Sequence, residues 1–221
     1  RYTKNENIFR KVLKHNTNFW IWLGNSVSLD KPVFNILSDS SEQMDFDFIK
    51  KAYYKVKTNK HYSLLNKEKP IIGTWGDHEY GLNFGNEAHK QKESYKQYYL
   101  DFLDVDTLDQ RREKTDMGMF STYSFGSGYK TIRVILLDLK YNKSAYLPRE
   151  KNDMLGDTQW NWLETIFKTT KETYTFICTS NQLLSYDRYI AQKWYKQSRK
   201  QIFDLIGKYK RNGVIFLSGG N

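Results

Sequence analysis

The stretch Gly73 to Gly81, GTWGDHEYG, holds the residues best suited to chemistry in this chain. It follows the short apolar run Pro70 to Ile72, which predicts a strand. Polar side chains that follow a strand of an α/β sheet lie at the edge where such folds place their sites. Asp77 and His78 are adjacent, so one can bind a metal ion while the other reaches a substrate. The alternative is a polar strand-to-helix loop in which Asp77 caps the next helix.

Apolar segments that end in glycine or polar residues occur at four places, and each predicts a buried strand. The ends are Leu23-Gly24-Asn25, Thr74 to His78, Thr179 to Gln182 and Ser218 to Asn221. Strand ends that meet at one edge of a sheet assemble a site from distant parts of the sequence. Two-metal phosphoryl chemistry needs such a site, because hard cations take carboxylate, amide-oxygen and imidazole ligands from several rigid positions.

Helices and one hairpin between these segments must position the strand ends. The run Phe19 to Gly24 predicts a central parallel strand buried on both faces. FSTYSFG and YKTIRVILLD predict a β-hairpin joined through Gly126-Ser127-Gly128. The alternation of strands with helices, broken by one hairpin, predicts a layered α/β domain. Helical patterns cover residues 6–15, 42–57, 86–103 and 189–208. Asp157 is predicted to cap a further helix, in which Trp160, Leu163 and Phe167 face inward. The stretch 104–119 predicts a charged loop.

Length, charge and composition limit the class of partner. The 221 residues, 39% of them hydrophobic, suit one α/β domain with a packed core. A net charge of +10 favours anionic partners such as phosphate esters. The lysines are dispersed and no nucleic-acid-binding motif is present, so charge-driven nucleic-acid binding ranks lowest and no specific nucleic-acid partner is expected. No transmembrane segment is predicted, and the single cysteine, Cys178, is expected in the core.

Six segments form a further pattern: FWIWLGNSVSLD, KPIIGTWGDHEYGLNFG, VILLDLK, MLGDTQWNWLE, CTSNQ and GVIFLSGGN. In order and spacing they resemble the PhoD-like (alkaline phosphatase D type) metallophosphatases of the calcineurin-like metallophosphoesterase superfamily. The resemblance implies an α/β, metallophosphoesterase-like sandwich of mixed β-sheets flanked by helices. It spans nearly the whole chain, as a single domain over residues 1–221. It also implies that the family's first strand and its final ligand segment are missing from this sequence.

The resemblance assigns roles to five residues of this sequence. His78 falls at the position of the histidine beside the metals and is the catalytic candidate. Asp77 and Asn25 fall at metal-ligand positions, and the implied metal ions are Ca, Fe, Mn or Zn. Lys140 stands where the family tends to have arginine, and it is a candidate for substrate binding together with Asn181. The implied substrate is a phosphate ester. The compartment stays unassigned, although members of this family are often extracytoplasmic or secretory.

Several ligand positions depart from the family pattern. Asn25 replaces the aspartate that bridges the two metals, Gly76 replaces the first aspartate of a Trp-Asp-Asp-His run, and Gly220 replaces the aspartate of the last motif. Ser28 and Phe84 replace a tyrosine and an acidic residue. Two divalent cations about 3.5–4 Å apart repel each other, and carboxylate ligands offset that repulsion. The losses therefore predict a sharply lowered metal affinity.

Two hypotheses follow. The first is a degenerate PhoD-like domain, inactive or weakly active and without bound metal, that serves as a binding or scaffold module for a protein partner. The second is an active phosphoric ester hydrolase, a metal-dependent phosphomonoesterase or phosphodiesterase whose ligands are completed from outside this segment. We favour the first, because three carboxylate losses fall at one site.

Overall fold

The computed structural model describes residues 7–27, 29, 46–145, 152–184, 194–209 and 212–220. Within these ranges the chain forms eight helices and six strands. The strands are β1 (Trp20–Leu23), β2 (Ile71–Thr74), β3 (Ser121–Ser127), β4 (Lys130–Leu136), β5 (Tyr174–Thr179) and β6 (Val214–Ser218). The helices are α1 (Asn7–Leu13), α2 (Phe46–Lys57), α3 (Lys60–Glu68), α4 (Asp77–Tyr80), α5 (Lys92–Phe102), α6 (Gln110–Glu113), α7 (Gly156–Thr169) and α8 (Lys196–Lys208).

The strands of the described residues form two sheets. Strands β1 and β2 pair in parallel, while the second sheet has the order β3-β4-β5-β6. Strands β3 and β4 are antiparallel up to the pair Ser127–Lys130, so the predicted hairpin is confirmed. Strands β4, β5 and β6 are parallel to one another. The predicted mixed α/β class is therefore confirmed.

The two sheets pack face to face through apolar side chains. Ile72 of β2 is buried against Val134 and Leu136 of β4 and against Cys178 of β5. The rings of Phe19 and Phe125 stack at 4.3 Å between centroids at the same interface. Burial of this apolar area favours the sandwich. Cys178 lies in this core, as the sequence predicts.

Helices cover the outer face of each sheet. Helices α2, α3 and α5 supply aromatic side chains that pack around Trp22 of β1, and Tyr62 and Phe102 stack in parallel within this layer. Helices α7 and α8 cover the four-stranded sheet, where Leu163 and Ile202 pack against Ile177 of β5. Side chains therefore hold the strands from both sides, and the loops at their ends carry the polar residues.

Several boundaries differ from the sequence predictions. Helix α5 begins at Lys92 rather than at residue 86, because residues 86–91 form turns. The stretch 104–119 contains α6 in addition to loop. The cap of α7 is Leu155, so Asp157 lies inside the first turn and its predicted role as the cap is wrong. Residues 42–45 and 189–193 of two predicted helices, and Ser28, lie outside the described residues.

Strand β1 and helix α3 also differ from expectation. Among the described residues, β1 pairs only with β2, and Trp22 is its one fully buried residue, so burial on both faces is not observed.

Helix α3 was not predicted. It begins two residues after Thr58, where the Asn59 side chain accepts hydrogen bonds from the backbone N–H groups of His61 and Tyr62, each at 3.1 Å. This N-cap separates α3 from α2.

Candidate functional site

The carboxyl ends of β1, β2, β5 and β6 meet at one edge of the sandwich. The N–H of Gly219, after β6, donates to the carbonyl of Thr179 at the end of β5, at 2.9 Å. A Cβ atom placed on Gly219 would lie 2.1 Å from the carbonyl oxygen of Leu23, so β6 and β1 approach closely. One placed on Gly24 would lie 3.1 Å from the backbone nitrogen of Gly76. The strand ends that the sequence predicts to meet therefore do so.

A buried carboxylate, that of Glu79, joins the loops after β1 and β2. Glu79 has no exposed surface. Its Oε1 accepts hydrogen bonds from the backbone N–H and the hydroxyl of Ser26 and from the N–H of Val27, while its Oε2 accepts from the N–H of Gly76 at 2.9 Å. The bond from the Ser26 hydroxyl is 2.8 Å long. Glu79 thus fixes the backbone that follows Asn25 and links it to Gly76.

Helix α4 is a single turn that presents Asp77 and His78. Its N-cap is Gly76, so Asp77 is the first helical residue and not the cap. Glu79 at the third helical position accepts from the cap N–H, which is one half of a capping box. The helix is followed by Gly81, whose φ of 75° is a left-handed conformation. Glycine adopts this conformation without the steric cost that a β-carbon imposes.

Four aromatic rings support this turn from below. Trp75 is fully buried, and its ring makes an edge contact with Tyr80 at 5.1 Å between centroids. The same ring stacks on Tyr99 at 6.1 Å and on Tyr141 at 6.4 Å. The Tyr80 hydroxyl donates to the carbonyl of Asn86 at 2.8 Å. These contacts fix the orientation of α4 relative to the sheet.

Asp77 forms an ion pair with Lys140. The distance from Lys140 Nζ to Asp77 Oδ1 is 2.6 Å. The Lys140 side chain has no exposed surface, and that of Asp77 is 10% exposed. The structure therefore brings together two of the predicted site residues, which are far apart in the sequence.

Asp138 positions the backbone of Lys140. Its Oδ1 accepts hydrogen bonds from the N–H of Lys140 at 2.8 Å and of Tyr141 at 3.1 Å, and its Oδ2 accepts from Met119 at 2.7 Å. The side-chain amide of Gln159 pairs with the backbone of Asp138, accepting from its N–H at 2.9 Å and donating to its carbonyl at 2.8 Å. Hydrogen bonds of Asp138 with Met119, Tyr141 and Gln159 therefore hold the turn that carries Lys140.

A second lysine lies beside this ion pair. Burial lowers the pKa of Lys143 to about 8, the positive charge of Lys140 lowers it as well, and Asp77 acts in the opposite direction. Its Nζ lies 5.8 Å from the centroid of the Tyr195 ring. Two ammonium groups thus lie near the carboxylate of Asp77.

The other predicted site residues lie near the same edge. Asn25 follows β1 with a φ of 60°, a conformation that asparagine tolerates better than most residues. His78 is partly buried, and its carbonyl accepts from the N–H of Leu29 at 3.0 Å. Asn181 is buried, and its Oδ1 accepts from the Ser180 hydroxyl at 3.2 Å. The catalytic, metal-binding and substrate-binding roles of these residues stay predictions.

Comparison with known proteins identifies the family of this chain. The sequence profile of the family described as PhoD-like phosphatase matches residues 4–221. This chain belongs to the PhoD-like phosphatase family. Among solved structures, it is similar to one described as the structure of PhoD, with a TM-score of 0.75 and 14% identity over 96% of this chain and 47% of that chain. The PhoD-like chain thus spans about half the length of that structure, with which it shares the fold. No curated protein sequence matches it significantly.

Among the described residues, the donor set of this PhoD-like chain does not fit a pair of metal ions. Asn25 offers an uncharged amide, and Gly76 and Gly220 offer no side chain. The carboxylate of Asp77 is already paired with a buried ammonium group, and both oxygens of Glu79 accept backbone N–H groups. Within the part of the chain that the structure describes, no three His, Cys, Asp or Glu side chains are grouped so as to hold a metal ion.

Two of the altered positions differ in the room that they leave for a side chain. A Cβ atom on Gly76 would meet no atom closer than 3.5 Å, which is ordinary contact. One on Gly220 would lie 2.5 Å from the carbonyl oxygen of Ser180, and the φ of Gly220 is +69°. A β-carbon therefore fits at position 76 but not at position 220.

Two structurally important residues were not singled out from the sequence. Glu79 follows Gly76 at the capping-box spacing, which is a local signal that could have identified it. Asp138 closes the run VILLD, but nothing in the sequence shows that its carboxylate holds Lys140. Both carboxylates accept backbone N–H groups and so shape the PhoD-like site.

No helix of the described residues combines the length and the apolar character that a membrane crossing needs.

We expect Lys143 to titrate with a midpoint near pH 8, because burial and Lys140 disfavour its charged form. The unfolded state binds more protons than the folded state between about pH 8 and pH 10.5, so this lysine adds stability as the pH rises through that range. NMR of ¹³C-methylated lysines measures the midpoint. A Lys143 midpoint near pH 10.5, the ordinary pKa of a lysine, would contradict this expectation.

Proposed function

We propose that this chain is a degenerate PhoD-like domain, inactive or weakly active, that serves as a binding or scaffold module. The observation that supports it most directly is the 2.6 Å ion pair between Lys140 and Asp77, because the remaining carboxylate among the family's ligand positions is already charge-compensated. The uncharged residues Asn25, Gly76 and Gly220 support the same conclusion, since metal affinity depends on ligand charge.

Two lysines of the site favour an anionic ligand. Lys140 and Lys143 lie near each other, and Asp77 balances one of the two positive charges. The whole chain carries a net charge of +10. Membership of a phosphatase family makes a phosphate-bearing molecule the most suitable ligand class, either as a free ester or on a protein partner. In this proposal the ligand is held and is not hydrolysed efficiently.

The test is the metal content and the turnover of the full-length protein. Elemental analysis should find metal well below one equivalent per chain, because the donor set lacks the necessary carboxylates. Turnover of an aryl phosphate with added Ca²⁺, Mn²⁺, Fe³⁺ or Zn²⁺ should equal that of a His78→Ala variant. Stoichiometric metal together with hydrolysis that His78→Ala abolishes would refute the proposal.

The second candidate function is an active metal-dependent phosphomonoesterase or phosphodiesterase. The observation that favours it is that the chain covers 47% of the similar PhoD structure, so a longer protein could complete the site. In that case Asp77 and Asn25 would help to hold Ca, Fe, Mn or Zn, Lys140 and Asn181 would bind the phosphate ester, and His78 would protonate the leaving oxygen. Absence of turnover with every one of these metals would exclude it.

A further inference from the structure

We propose that the ammonium group of Lys140 is a built-in cation that takes the place of a metal ion at Asp77 and excludes metal from the site. This inference rests on the proposed function and deepens it, because it names what stabilises the site when no metal is bound. It is argued from the ion pair, from the turn that delivers Lys140 and from the charge balance of the surrounding positions.

The first argument is the position of the ammonium group. Lys140 Nζ lies 2.6 Å from Asp77 Oδ1, and hard cations such as Ca²⁺ bind carboxylate oxygens at about 2.3–2.6 Å. The ammonium group therefore lies as close to this oxygen as a bound cation would. A divalent ion would have to displace it or tolerate a like charge at close range, and both are unfavourable in a buried site.

The second argument is that Lys140 is fixed and does not reach the site as a flexible surface side chain. Its side chain has no exposed surface. Its backbone N–H donates to Asp138 Oδ1 at 2.8 Å, and Asp138 is itself held through Met119 and Gln159. The ammonium group is thus delivered from a rigid turn, so moving it away from Asp77 would require a change in the core.

The third argument is charge balance. With asparagine at position 25 and glycine at positions 76 and 220, Asp77 brings one negative charge to the family's ligand positions. One ammonium group balances the charge of one carboxylate, whereas a pair of divalent ions needs several carboxylates. The loss of carboxylates and the presence of a buried lysine are therefore mutually consistent.

The experiment compares thermal unfolding of the unmodified full-length protein and of Lys140→Met, each with CaCl₂, MnCl₂ or EDTA. The unmodified protein should keep one unfolding midpoint in all three solutions. Lys140→Met should unfold at a lower temperature with EDTA and regain several degrees with Ca²⁺ or Mn²⁺, because Asp77 becomes available to a metal ion. Lys140→Arg keeps a cation and should stay insensitive to metal.

Lys96→Met is the matched control. Lys96 is also a lysine without exposed surface, and it pairs with Glu93 at 2.9 Å rather than with Asp77. Its loss should lower the midpoint without any response to metal, which separates metal binding from general destabilisation. The inference is overturned if metal raises the midpoint of the unmodified protein, or if Lys140→Met responds no more than Lys96→Met.

A second comparison covers the case in which Lys140→Met does not fold. Asn25→Asp and Gly76→Asp, combined in one protein, introduce two carboxylates, and Gly76 leaves room for a β-carbon. With Lys140 kept in place, this variant should show no Mn²⁺ binding in a calorimetric titration, because the ammonium group still blocks Asp77. Stoichiometric Mn²⁺ binding by this variant would refute the inference. Hydrolysis by the unmodified protein would instead refute the proposed function, so the two failures are distinguishable.

Discussion

Glu79→Ala is expected to lower the free energy of unfolding by about 3–5 kcal/mol, the cost of breaking a buried charged network. The carboxylate is fully buried and accepts from the N–H groups of Ser26, Val27 and Gly76 and from the Ser26 hydroxyl. Alanine leaves these donors without an acceptor in a space that water does not reach. Urea denaturation followed by tryptophan fluorescence measures the change.

Glu68→Ala is the matched control for this effect. Glu68 is exposed at the end of α3, and its replacement should change the free energy of unfolding by less than about 0.5 kcal/mol. Glu79→Gln should fall between the two, because it keeps acceptor oxygen but directs an amide N–H₂ toward backbone donors. A loss below about 1 kcal/mol in Glu79→Ala would show that the loops after β1 and β2 do not depend on this carboxylate.

Gly219→Ala is expected to destabilise the protein by about 3 kcal/mol or more, at the upper end of the cost of overpacking. The added Cβ would lie 2.1 Å from the carbonyl oxygen and 2.7 Å from the Cβ of Leu23. The obstructing carbonyl belongs to the backbone of β1, so relief requires the two sheets to separate at the site. Urea denaturation should therefore show the lower stability. Binding of the proposed phosphate-bearing ligand should weaken as well.

Gly76→Ala provides the comparison for Gly219→Ala within the same edge. Its Cβ would meet nothing closer than 3.5 Å, and the φ of Gly76 is −108°, which alanine adopts freely. The N–H donated to Glu79 is retained. Stability should change by less than about 1 kcal/mol and can rise, since alanine restricts the unfolded chain. Similar effects of the two substitutions would contradict the close approach of β6 to β1.

The features of the fold that were predicted from the sequence are those with local signals. Apolar runs that end in glycine or polar residues located β2, β5 and β6, and the glycines near Ser127 located the hairpin, because both signals lie within a few residues. The start of α7 was placed wrongly because Asp157 is a common capping residue, while Asp153 holds the preceding turn by accepting from the N–H of Gly156 at 3.0 Å.

The interactions of the site depend on partners far away in the sequence, and these were not predictable. Asp77 and His78 were identified from their residue types, and the family from the order of its motifs. That Asp77 pairs with Lys140, and that Glu79 contacts Ser26, follows only once both sheets are assembled. The lack of room at Gly220 is likewise a property of the folded backbone.

The contact of β6 with β1 has a consequence for the order in which this edge forms. The first described strand, β1, lies against the residue that follows β6, the last described strand, since Gly219 faces the backbone of Leu23. During synthesis β1 and β2 leave the ribosome long before β6, and contacts between residues so distant in sequence form slowly. This edge of the sandwich therefore closes only when β6 docks. Fraying of that strand would open the edge while the helices and the hairpin stay folded.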